Sequence, residues 1–272
     1  MRVPIPRATS KALSTHDKVY GMYRSILRSV VAAGLGLTAG SAFAGSQTWT
    51  FDGGDTTGLA IFSNVTAGNG RSEGGNPDGY LAITDAVNST YTGIVFPDID
   101  GGKPVIAFNL KFDARIGNAV GNGGRPADGM SVSYARQGDK VLVDADANAG
   151  NPSFDLRGSF GVPGGPEMGT ATGIVVSFDA WQGNTELDGS PDVEGLVIQV
   201  DGKVVKTVGM GTRNGACDDI NSTQTGPYDT TNPGSPDGLC WAPVEVDLDA
   251  TGKLTVNFKN HTFLDHYQTA FF

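Results

Sequence analysis

After residue 44, apolar residues recur at every second position in short runs, and Gly, Asp, Asn and Pro break those runs. Side chains alternate between the two faces of a strand, so this period marks strands with one buried face. Tyr80–Thr84, Val105–Phe112, Met130–Tyr134, Ile174–Phe178, Leu196–Val200, Val204–Val208, Val244–Leu248 and Leu254–Phe258 all carry it, and Thr48–Phe51 is a shorter instance. Asp201-Gly202 and Thr251-Gly252 are hairpin turn signals. No helical stripe stands out beyond residue 44. About ten strands joined by turn-rich loops predict an all-β chain, a β-sandwich or barrel folded as one domain over residues 45–272.

Composition agrees and removes other classes. The 272 residues include 40 Gly, which weaken helices by about 1 kcal/mol at each interior position. There are 24 Asp but only 5 Glu, and the formal charge is −10. That balance excludes a nucleic-acid binder, which needs a basic face for the phosphates.

Residues 1–44 read as a leader. Arg24 and Arg28 make a basic start, Val30–Ala39 an apolar run, and Ala42-Phe43-Ala44 a small-x-small cleavage site. This is the pattern of a secretory signal peptide, and Met22 just before it is a candidate true start. The apolar run is too short for a membrane span. The expectation is an exported protein, extracellular or at the cell surface or in the periplasm, with no membrane span in its mature part. The leader holds six basic residues and one acid, so the mature charge becomes −15. Cys217 and Cys240, the only cysteines, should pair in an oxidising compartment. With His261 and His266 they do not suit a zinc site. The chain stops on the apolar Thr269-Ala270-Phe271-Phe272, from which a missing final strand, anchor or sorting tail is expected.

Two segments together carry a family resemblance. Arg125-Pro126-Ala127-Asp128-Gly129 leads into the strand Met130–Ala135, and this resembles the P-A-D-G segment of legume-type (L-type) lectins. About 45 residues on, Val175-Val176-Ser177-Phe178-Asp179-Ala180-Trp181-Gln182-Gly183-Asn184, then Asp188 and Glu194–Val200, is similar to the metal-loop strand of the same family. The resemblance extends over most of residues 48–208 and implies a concanavalin A-like jelly-roll β-sandwich that binds carbohydrate.

It also implies roles. Asp128 would accept hydrogen bonds from two adjacent sugar hydroxyls, with a cis peptide before it, and Gly129, Asn184 and Trp181 would complete the sugar site. A carboxylate is a strong acceptor for a diol, and an aromatic face suits the apolar face of a pyranose. Asp179, the Trp181 carbonyl, Asn184 and Asp188 fall on calcium-ligand positions, with Asn184 displaced by one residue. All are the hard oxygen donors calcium takes. The family's Glu and His, which hold a transition metal, are replaced by Ser177 and Val193, so calcium is the most that is expected and no transition metal is.

Catalysis is not expected. Glucanases on this fold use E-x-D-x-x-E, and none of the five Glu (Glu73, Glu167, Glu186, Glu194, Glu245) forms it. Nor is there a G-x-S-x-G elbow. A second calcium candidate is Asp144-x-Asp146-x-Asn148-x-Gly150 with Asp155, which resembles an EF-hand loop without Gly at the sixth place. The leading expectation is a non-catalytic glycan-binding protein. The alternatives are a structural or adhesion protein on the same fold without a working sugar site, and, behind it, a glycoside hydrolase with displaced carboxylates.

Overall fold

The strands expected from alternation form where their apolar faces can meet. Within the computed structural model the described residues are 45–63, 71–84, 86–117, 126–160, 167–183, 185–186, 188–211, 215–227, 231 and 238–267. The leader 1–44, Arg125, Asn184 and the terminal 269–272 lie outside them.

Twelve strands are described: β1 (Ala60–Ser63), β2 (Arg71–Glu73), β3 (Tyr80–Ala82), β4 (Thr92–Val95), β5 (Phe108–Ala114), β6 (Gly129–Tyr134), β7 (Ile174–Asp179), β8 (Gly195–Val200), β9 (Lys203–Gly209), β10 (Ala242–Leu248), β11 (Lys253–Phe258) and β12 (His261–Tyr267). One four-stranded sheet has the order β12-β11-β10-β5 and another β6-β7-β8-β9; β1-β4 and β2-β3 make small pairs. Every pairing is antiparallel. The chain is an all-β sandwich, as its alternation requires.

One core joins the two large sheets. Val244, Val246 and Leu248 on β10 and Leu254, Val256 and Phe258 on β11 meet Ile174, Val176 and Phe178 on β7 and Leu196, Ile198 and Val200 on β8. Each large side chain buried this way contributes roughly 2 kcal/mol. On β10 and β11 the intervening residues are less buried, so the alternation is plain. On β7 and β8 every residue is buried. Their second face is therefore covered by chain from outside the sheet, and that face holds the candidate site.

Three local expectations change. Thr48–Phe51 is not a strand; a short 3₁₀ turn, Asp52–Gly54, follows it. The segment Lys140–Ala147 is a helix, α1, although it lies in a stretch rich in Asp, Gly and Pro. Asp139 caps it by accepting from Val141 N–H at 2.9 Å, and Val141 and Ala145, one turn apart, pack with Phe62 and Leu156 in a smaller core. The helix also takes away the EF-hand-like loop. Asp144 is committed to Lys140 and Ser159, and Asp155 pairs with Arg157 at 2.7 Å. Among the described residues, no helix is long and apolar enough to cross a membrane.

Between β9 and β10, Cys217 and Cys240 form a disulfide with a Cα–Cα distance of 5.6 Å. Between the two cysteines, Ser222–Thr225 are fully buried. Thr225 N–H donates to the Ile116 carbonyl at 2.8 Å, and Cys240 N–H to the Thr225 carbonyl at 2.6 Å. Lys259, on the left-handed turn between β11 and β12, sends its ammonium into this loop. Its Nζ donates to the carbonyls of Asp219 (2.9 Å), Ser222 (2.7 Å) and Gln224 (2.6 Å). Replacing both cysteines by Ser should cost about 3 kcal/mol by loop-closure entropy, read as a lower urea midpoint that reduction of the wild type reproduces.

Candidate functional site

The β6–β7 edge brings the two resembling segments together. Gly129 pairs with Asp179 in the ladder, and Ala180 N–H donates to the Asp128 carbonyl at 2.8 Å. Gly129 has to be Gly here: a Cβ would lie 2.6 Å from the Phe178 carbonyl oxygen and 3.1 Å from the Asp179 Cα. The Ala127–Asp128 peptide is cis, the geometry the lectin resemblance implies at this position. Asp128 is exposed and lines an open cleft together with Ala127, Gly129 and Ala180.

Directly behind that edge lie buried carboxylates. Asp179, Glu186 and Asp192 are 3%, 3% and 5% exposed. Each can offer an oxygen, and the three oxygens lie within 4.8 Å of one another. A small hairpin makes this possible. Thr185 bridges to Pro191, Glu186 N–H donates to the Ser190 carbonyl at 3.1 Å, and Gly189 turns back with a positive φ. The two ends of the hairpin thus deliver Glu186 and Asp192 to the end of β7.

The neighbouring groups hold the cluster in place. Asp179 accepts from Trp181 N–H at 2.8 Å, and Asp192 accepts from Gly183 N–H at 2.5 Å. Gln199, fully buried on β8, donates its amide to Glu186 at 3.1 Å. Burial, then the hydrogen bond that protonated Asp179 donates to the Asp192 carboxylate, pushes Asp179 up to about 9, with the charges of Asp192 and Glu167 adding to it. Burial and the charges of Asp192 and Asp188 push Glu186 up to about 7. Desolvated carboxylates this close resist ionising together unless a cation joins them.

The cluster differs from the set expected from sequence. Asp179 belongs to it, and Trp181 is half-buried beside it. Asp188 does not belong: it sits exposed at the hairpin tip and accepts from Ser190 N–H and Val204 N–H, each at 3.0 Å. The Ser190 side chain first, and then these backbone hydrogen bonds, hold its carboxyl below the usual range. The hairpin reverses direction at the tip, so the acid that returns to Asp179 is Asp192. Glu186, Asp192 and the buried Gln199 went unread in the sequence. Their one signal was a pair of acids flanking the turn Asp188-Gly189-Ser190. Ser177 donates to the Glu167 carbonyl. Glu167 is itself buried, and its charge reaches Asp179. His261 and His266 are on β12, in the other sheet.

An antiparallel sandwich with three buried carboxylates behind an exposed Asp-bearing edge is the class that fold and site define. No protein-family model matches the chain, and no curated protein matches it.

Proposed function

We propose that this protein is an exported, non-catalytic carbohydrate-binding protein, lectin-like, on a concanavalin A-like sandwich, with calcium ordering its sugar site. The observation that carries this reading is the placement of Asp128. Its backbone is tied to Ala180 at 2.8 Å, one residue beyond the buried Asp179. A cation bound there would fix the strand end against which Asp128 is held.

The donor set fits calcium. Asp179, Glu186 and Asp192 supply hard carboxylate oxygens, and the lectin resemblance adds the Trp181 carbonyl to them. No His or Cys stands in the cluster, so a metal preferring nitrogen or sulfur is not favoured. Calcium would offset two of the three carboxylate charges and add rigidity. Asp128 would accept from a pair of sugar hydroxyls, with the exposed Gly129 backbone letting the ring approach.

A few hydroxyl contacts against competing water give weak binding at each site. Glycan-array and calorimetric titrations in calcium should find a binding glycan, and Asp128→Ala should weaken it at least about 10-fold, the loss of a charge-assisted contact. An array that stays blank with and without calcium would turn the reading towards a structural or adhesion role on the same fold.

A further inference from the structure

A second group of side chains gathers just beyond the end of β5. Arg115, just beyond β5, holds its guanidinium 4.8 Å from the Trp241 ring centre and 5.2 Å from that of Tyr80. The two rings lie 5.5 Å apart. Trp241 is 46% exposed, a large apolar area to leave in water. It follows Cys240, so the disulfide anchors its backbone.

The arginine is what sets this group apart. Arg136 and Arg157 each make a two-pronged pair with an Asp, Asp201 and Asp155 respectively. Arg115 makes no ion pair or hydrogen bond through its guanidinium with any described residue, in a chain where acids outnumber bases 29 to 19. A guanidinium stacked on aromatic rings uses its face, and its in-plane N–H donors stay available. Those donors match the two oxygens of a carboxylate or sulfate.

Register places Arg115 at the Asp128 end of the sandwich. Phe108 stacks on Tyr134 at 4.3 Å, joining the start of β5 to the end of β6. Followed from that contact, β5 ends at Ala114 and β6 leads back to Gly129. Strands of matched length reach the same end, with the two sheets about 10 Å apart. Asp128, Arg115, Tyr80 and Trp241 all border one broad, open depression that takes in much of this face of the molecule.

We propose that Arg115, with Tyr80 and Trp241, forms a second subsite that selects glycans bearing an anionic group, a carboxylate or a sulfate, a short distance along the chain from the sugar held by Asp128. The inference rests on the carbohydrate-binding reading. The negative charge of the whole protein does not oppose it at physiological salt, where fields fade beyond about 8 Å and the nearest cation decides.

The test is a calcium-containing glycan array in matched pairs: uronate beside its methyl ester, sialoside beside its asialo form, sulfated glycan beside its desulfated form. Hits are titrated with wild type, Arg115→Gln, Arg115→Lys and Asp128→Ala, each checked for wild-type melting temperature. The wild type should prefer one class of acidic glycan by about 10-fold over its neutral partner. The preference should shrink as salt rises, vanish in Arg115→Gln and partly survive in Arg115→Lys, while neutral affinity stays constant. Equal affinity for both members of every pair, or a preference that Arg115→Gln leaves intact, overturns the subsite but leaves the carbohydrate reading standing. Binding of no glycan at all overturns both.

Discussion

In the presence of a chelator, the melting temperature should fall as pH rises from about 5 to about 9, and calcium should remove most of that fall. The folded-state pKa of Asp179 is raised to about 9 and that of Glu186 to about 7, chiefly by burial. The folded protein therefore holds protons that the unfolded chain has already released above pH ~4. Stability from these groups is fully present below that pH and is lost as pH rises through the folded values. For Asp179 alone the loss between pH ~5 and pH ~7 is on the order of 3 kcal/mol. Asp155, held down to about 2 by its hydrogen bonds with Arg157, has its effect at much lower pH, so the two contributions separate in a titration. Bound calcium would take the place of the protons and stabilise further by mass action. Asp179→Asn should flatten the pH profile and abolish the calcium response together. A chelated protein whose melting temperature is level across this range would remove the electrostatic basis of the calcium site.

Lys259→Met should be the most destabilising single substitution away from the acidic cluster, at about 3 kcal/mol or more. Met keeps the length and apolar stem of the side chain but strands the carbonyls of Asp219, Ser222 and Gln224 without the donor that now satisfies all three. Burial lowers the Lys259 ammonium to about 8, which leaves it charged at neutral pH. Its partners belong to the disulfide-closed loop, and that loop also carries Thr225 onto Ile116. The damage should therefore be local first. Hydrogen exchange should speed up at residues 215–227 before it does in β10 and β11, and urea unfolding should report the total loss. Uniform exchange rates across both regions would show that the lysine does not clamp the loop.

Legibility followed the range of the interactions. β10 and β11 could be read because each strand buries one face, and the pattern Val244, Val246, Leu248 records this within seven residues. α1 was hidden for the opposite reason. Its apolar face is only Val141 and Ala145, completed by Phe62 and Leu156 from distant parts of the chain. β12 carries a mixed surface, His261 to Tyr267, and is a strand because β11 offers it an open edge. Lys259 carries no local signal of burial, and only the buried loop above it explains why it points inward.

The sequence by itself determined the all-β architecture, the paired cysteines and the two segments that meet at Asp128 and Asp179. Each is written in neighbouring residues, as an alternation, a cysteine count or a short motif. The membership of the acidic cluster was decided by tertiary structure. Spacing along the chain pointed to Asp188, but the hairpin between Thr185 and Pro191 turns that side chain out to solvent and folds Glu186 and Asp192 in. Which carboxylates share a buried site depends on where the chain reverses, and a reversal can bring a later residue back to the strand end that a nearer one has already passed.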